Sequence, residues 1–132
     1  LDGVTDWLFI GFRESHAMKV TIYHNPRCSK SRQTLQLLRD RGVEPEIVEY
    51  LASPPSAAEM KNILALLGME PRDLMRRKEA PYAALGLADD SHSADDLIAA
   101  MLAEPILIER PIVVSGGAAV LGRPPENVLK LL

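Results

Sequence analysis

The chain has 132 residues, 47% hydrophobic and 25% charged, with a formal net charge of −3 and one cysteine. That length and apolar content suit one domain with its own core, the mildly acidic balance offers no concentrated basic face for nucleic acid, and no apolar run is long enough to span a membrane. A lone cysteine makes neither an internal disulfide nor a cysteine-rich zinc site, so the expected setting is a reducing cytoplasm and any disulfide must be shared with another molecule.

Residues 1–17 differ from the rest. Trp7-Leu8-Phe9-Ile10-Gly11-Phe12 is a short aromatic and apolar run, but it lacks a basic leader and a small-x-small cleavage pattern, so it does not read as a signal peptide. These residues are expected to be an upstream extension or a remnant of added sequence, poorly ordered, ahead of a single domain over 18–132. Within that domain, Val20-Thr21-Ile22-Tyr23 is β-branched and apolar, which predicts a buried first strand. A helix is expected from Ser29, with Leu35 and Leu38 at helical spacing and Gly42 suited to a left-handed C-terminus. Glu46 to Leu51 reads as a second strand ended by Pro54-Pro55, giving a βαβ opening with parallel strands.

The pattern then turns helical. Ser56-Ala57-Ala58-Glu59 is a capping box ahead of Met60, Ile63, Leu64 and Leu67, with Gly68 following. Pro71 opens a short helix through Leu74 and Met75, a third helix starts near Pro81, and Ser93 caps a fourth carrying Leu97, Ile98, Met101 and Leu102. After Arg110-Pro111, the runs Ile112-Val113-Val114 and Ala118 to Leu121 flank Ser115-Gly116-Gly117, a hairpin signal. Pro124-Pro125-Glu126 opens a last helix with Val128, Leu129 and Leu132.

Cys28 lies in Tyr23-His24-Asn25-Pro26-Arg27-Cys28-Ser29-Lys30-Ser31-Arg32, where the first strand gives way to a helix. A sulfur at a helix N-terminus faces unpaired N–H groups and the positive end of the dipole, and Arg27, Lys30 and Arg32 are expected to add cationic charge. Such a thiolate can bind an oxyanion and attack it. The plainer alternative, a cysteine buried as a small hydrophobe, fits poorly with a loop rich in cations and without an apolar period.

A strand, a helix-capping cysteine, a helical middle, a hairpin introduced by proline and a closing helix fit an α/β, thioredoxin-like mixed sheet with a helical insertion between its halves. From about Met18 onward the chain resembles the glutaredoxin-coupled arsenate reductase family. The resemblance rests on Tyr23 to Cys28, Tyr50-Leu51 before Pro54-Pro55, Leu74-Met75-Arg76-Arg77-Lys78, Pro81-Tyr82 with Leu85-Gly86-Leu87, Arg110-Pro111-Ile112-Val113-Val114, and Gly122-Arg123-Pro124. It implies Cys28 as nucleophile toward arsenate, with Arg76, Arg110 and Arg123 binding the oxyanion and Arg77 as the natural competitor to Arg76. Planar guanidinium forks suit that task, although arginines before prolines are commonly surface residues.

The resemblance also implies electrostatic support of the thiolate by His24, with a hydrogen bond to the loop as the other reading of that residue. Asn25 and Ser31 could donate to the sulfur or shape the turn. Pro111 is implied to be cis beside the sulfur, whereas sequence alone favours trans. No bound cofactor is expected. The second cysteine being absent, electrons must come from outside, with glutathione as reductant and glutaredoxin as partner. Phosphate, a similar oxyanion, would compete, and a monomer is the default state. Two rivals are a glutathione-linked thiol-disulfide oxidoreductase and a non-enzymatic Spx-type regulator that binds RNA polymerase. Ser31, standing where redox-sensing members carry a second cysteine, counts against redox sensing.

Overall fold

The computed structural model of the protein describes residues 19–132, and the expectation for residues 1–17 lies outside them. Four strands, β1 (Val20–His24), β2 (Glu46–Glu49), β3 (Ile112–Ser115) and β4 (Ala118–Leu121), form one sheet in the order β2-β1-β3-β4. β1 pairs parallel with β2 and antiparallel with β3, and β3 pairs antiparallel with β4. This is the thioredoxin-like mixed sheet that the sequence suggests. Helices α1 (Ser29–Asp40), α2 (Ala57–Leu67), α3 (Ala80–Ala84) and α4 (Ala94–Ala103) accompany 3-10 turns at Pro71–Leu74, Pro105–Leu107 and Pro125–Leu131. No helix among the described residues is long and apolar enough to cross a membrane.

Alternation along the central strands divides the core into two layers. Val20, Ile22 and Val113 meet Leu35, Leu38, Val43 and Val128 on the α1 side. Ile112 joins Tyr50, Met60, Ile63, Leu64, Leu74, Met75, Met101, Leu107 and Ile108 on the other side, where the inserted helices pack.

Local chemistry sets the helix ends. Ser56 and Ser93 each form a reciprocal capping box, with Glu59 and Asp96 respectively. α1 closes through bonds from the Gly42 N–H to the Arg39 carbonyl and from the Val43 N–H to the Leu38 carbonyl, with Gly42 at φ +79. That is a Schellman ending, and it needs the positive φ that glycine adopts readily.

Several boundaries differ from expectation. β2 stops at Glu49 because the Glu49 carbonyl turns to accept from Ala52 and Ser53, so Tyr50 and Leu51 leave the sheet. The helix expected from Pro71 is one 3-10 turn, and Met75 instead bridges Ile108. Ser115 pairs with Ala118, leaving a two-residue turn in which Gly116 has φ +59. The last segment is a 3-10 helix over Pro125–Leu131, and the Asn127 side chain turns back to the Leu121 and Arg123 carbonyls. Both Arg110–Pro111 and Arg123–Pro124 are cis, the first as the resemblance implies.

Gly122 directly follows β4 and lies against Thr34 of α1. A Cβ there would overlap the Thr34 side chain and come within 2.8 Å of Pro111 Cγ. Thr34 is fully buried, its hydroxyl already donating to the Lys30 carbonyl at 2.8 Å. Gly122→Ala is therefore expected to destabilise the fold by about 1–3 kcal/mol. Urea unfolding checks this, and an unchanged midpoint would mean that the β4 exit relaxes freely.

Candidate active site

The Cys28 loop folds on its own polar groups. The Asn25 side-chain oxygen accepts from the Arg27 N–H at 3.0 Å, and the Cys28 N–H donates to the Asn25 carbonyl at 3.0 Å. Cys28 becomes the N-cap of α1, in extended conformation, with its sulfur partly exposed. Ser31 is fully buried one turn into the helix. Its Oγ lies 2.6 Å from His24 Nδ1 and accepts from the Asn25 N–H at 3.1 Å, tying strand, loop and helix together.

Burial acts to raise the Cys28 pKa, but the Ser31 N–H, the positive charge of Arg110 and the Lys30 N–H outweigh it, and the thiol ends below its ordinary value. The backbone donors are those expected at a helix start, and the cation that acts beside them, Arg110, comes from far along the chain. Arg27 is exposed, and the Arg32 guanidinium is turned onto the Pro26 carbonyl at 2.9 Å. His24 is buried, and that burial, opposed by Glu49 and assisted by Arg39 and Arg32, lowers its pKa. The imidazole is thus neutral near pH 7, and its resolved side-chain partner is Ser31.

The arginines converge from separate segments. The Met75–Ile108 bridge, with Arg76 N–H donating to the Leu107 carbonyl at 2.7 Å and Glu109 N–H to the Leu74 carbonyl at 2.8 Å, sets Arg76 beside the approach to Arg110. Gly122 N–H donates to the Pro111 carbonyl at 2.9 Å, which brings in Arg123, whose Nη1 donates to the Arg110 carbonyl at 3.3 Å. A cavity of about 460 Å³ is lined by Met75, Arg76, Arg77, Lys78, Glu79, Glu109, Arg110 and Arg123. Arg76 and Arg110 are partly buried, whereas Arg77 is exposed at the cavity wall. Among the described residues no cluster of His, Cys, Asp and Glu could hold a metal ion.

Three residues of this neighbourhood have no site role in the sequence reading. Glu79 pairs with Arg76 at 2.6 Å and Glu109 with Arg110 at 2.9 Å. Tyr50 is 1% exposed, and its hydroxyl and Arg110 Nε are buried without a hydrogen-bond partner. Burial raises the Tyr50 pKa against the charges of Arg110 and Arg76, so the phenol shares the field of the cavity. The Tyr50-Leu51 motif was a visible signal for that residue. For the glutamates there was none, because each is one acidic residue within three positions of an arginine.

A helix-capping thiol whose pKa is lowered in part by Arg110, a residue that lines the arginine cavity and precedes a cis-proline, places this molecule among thioredoxin-fold proteins with a single active-loop cysteine. More narrowly, it belongs to the ArsC family, whose sequence model matches residues 23–131. Protein YfgD of Escherichia coli (strain K12), described as uncharacterized, is 56% identical over 115 residues, covering 86% of this chain and 97% of that one. An arsenate reductase of Rhizobium meliloti (strain 1021) is 50% identical over 115 residues, 87% of this chain and 82% of its own. The solved structure of an arsenate reductase from Vibrio cholerae superposes with a TM-score of 0.85 at 53% identity, covering 88% of this chain and 99% of that one.

The electrostatics of Cys28 can be tested directly. The rate of iodoacetamide alkylation against pH is expected to show an inflection below that of an ordinary thiol. Arg110→Ala moves it upward, because a charge that favours the thiolate is removed, and Arg27→Ala leaves it in place. The opposite pattern would return the effect to the loop cations.

Proposed function

We propose that this chain reduces arsenate to arsenite through a covalent adduct on Cys28, using glutathione and glutaredoxin. The observation that carries the reading is the pairing of a depressed helix-capping thiol with a cavity walled by Arg76, Arg110 and Arg123. Relatives near 50% identity that are named arsenate reductases support it.

In this scheme the Cys28 thiolate attacks arsenic, a hydroxyl of arsenate leaves as water after protonation, and a sulfur–arsenic bond forms. The three guanidiniums hold the oxygens and offset the charge gathering on them. Glutathione thiolate then attacks the Cys28 sulfur. A sulfur–sulfur bond forms, the sulfur–arsenic pair leaves with arsenic, and arsenic falls from the +5 to the +3 state as two thiols are oxidised. Glutaredoxin attacks the glutathione sulfur of the mixed disulfide and frees the Cys28 thiolate. No resident cofactor is required, and one copy of the chain suffices, in a reducing compartment such as the cytoplasm. His24 and Ser31 serve as positioning residues that hold the loop so that the Ser31 N–H meets the sulfur, with Asn25 closing the turn and Pro111 bordering the site.

The test is arsenate-dependent NADPH oxidation coupled through glutathione, glutaredoxin and glutathione reductase. Cys28→Ser is expected to abolish the rate. Alanine at Arg76, Arg110 or Arg123 is expected to lower kcat/KM roughly ten- to a hundredfold, the equivalent of one charge-assisted hydrogen bond of about 1.5–3 kcal/mol. A protein with no arsenate-dependent rate whose Cys28 still exchanges with glutathione disulfide would be a thiol-disulfide oxidoreductase instead.

A further inference from the structure

The guanidiniums of the cavity already have carboxylate partners inside the molecule. Glu109 Oε1 accepts from Arg110 Nη1 at 2.9 Å and from the Arg110 backbone N–H at 3.3 Å, and it stands 3.7 Å from Arg123 Nε. One oxygen thus bridges two arginines that flank the open end of the β3–β4 hairpin, one just before β3 and one just after β4. The position of Glu109 is set by its own N–H, which donates to the Leu74 carbonyl at 2.8 Å. Its side chain is 28% exposed and that of Arg110 only 15%, so water screens this pair incompletely.

We propose that Glu109 is a built-in counter-ion that competes with the substrate oxyanion for Arg110 and Arg123, and so weakens oxyanion binding before the bond to Cys28 forms. This rests on the arsenate reading above and adds to it a residue that sets the affinity of the cavity for oxyanions. A donor given to Glu109 is not given to a ligand oxygen, and the carboxylate repels any anion placed against the same guanidiniums. Both effects act alike on arsenate and phosphate, which share charge and shape. Discrimination then falls to the next step, in which arsenic exchanges an oxygen for sulfur readily and phosphorus does not. Weak initial binding keeps phosphate from filling the cavity and leaves the attack itself unchanged, which is a uniform-binding effect on KM and not on kcat.

Glu109→Gln keeps the size and one acceptor oxygen but removes the charge. It is expected to lower the arsenate KM and the phosphate inhibition constant by the same factor, roughly tenfold, with kcat within about twofold of the parent. Calorimetric titration of inorganic phosphate into Cys28→Ser, with and without Glu109→Gln, reads the same affinity change without turnover. Glu109→Ala is the second variant, with the same expectation, should the first fail to melt cooperatively. An unchanged or raised phosphate dissociation constant, or a large loss of kcat, would overturn the inference and make Glu109 a group that merely orients the guanidiniums. Phosphate binding to neither folded protein removes the oxyanion reading and this inference with it. Binding to the parent alone, or equal binding to both, removes only the inference.

Discussion

The antiparallel register of β1 against β3, with Tyr23 opposite Ile112, is the constraint on which the site depends. It sets the chain just after β1, which carries Asn25 to Cys28, beside the chain just before β3, which carries Arg110 and Pro111. A slip of one residue would reverse the faces of the strand and move His24 away from Ser31. The close approach of Gly122 to Thr34 and Pro111 completes the arrangement, since the same few atoms seat the β4 exit against α1 and bring in Arg123.

Within that frame the thiol is governed by a contest between opposing effects. Partial burial disfavours the thiolate, whereas two backbone N–H groups of the first helical turn and one guanidinium favour it. The backbone donors come with the N-cap position itself and cost no side chain. The Ser31 side chain is then available to hold His24, so that one residue serves the sulfur through its N–H and the loop through its hydroxyl. The burial that makes His24 neutral also keeps it from adding a charge to a region where Arg110 already supplies one.

The arginine cavity follows a similar economy. Glu79 and Glu109 partner cations that would otherwise face one another across a small space. Such internal pairing holds the long arginine side chains in defined places. Arg72, by contrast, is occupied with the Tyr82 hydroxyl and the Leu87 carbonyl and belongs to the packing of the helical insertion.

What the sequence determined by itself was whatever depends on neighbours a few residues apart. The β-branched run of β1, the capping boxes at Ser56 and Ser93, the glycine ending of α1 and the two-glycine hairpin are all encoded locally, because each is satisfied by bonds within one or two turns of chain. Cys28 at a helix start was legible for the same reason. Boundaries failed where a distant partner took over, as when Met75 joined Ile108 instead of extending a helix. Only the tertiary structure decided which cation acts on the sulfur, because Arg110 lies far along the chain and reaches it across the β1–β3 pair, while the neighbouring Arg32 is held on a loop carbonyl. The same holds for Glu79 and Glu109, whose roles arise from convergence of segments that no local spacing records.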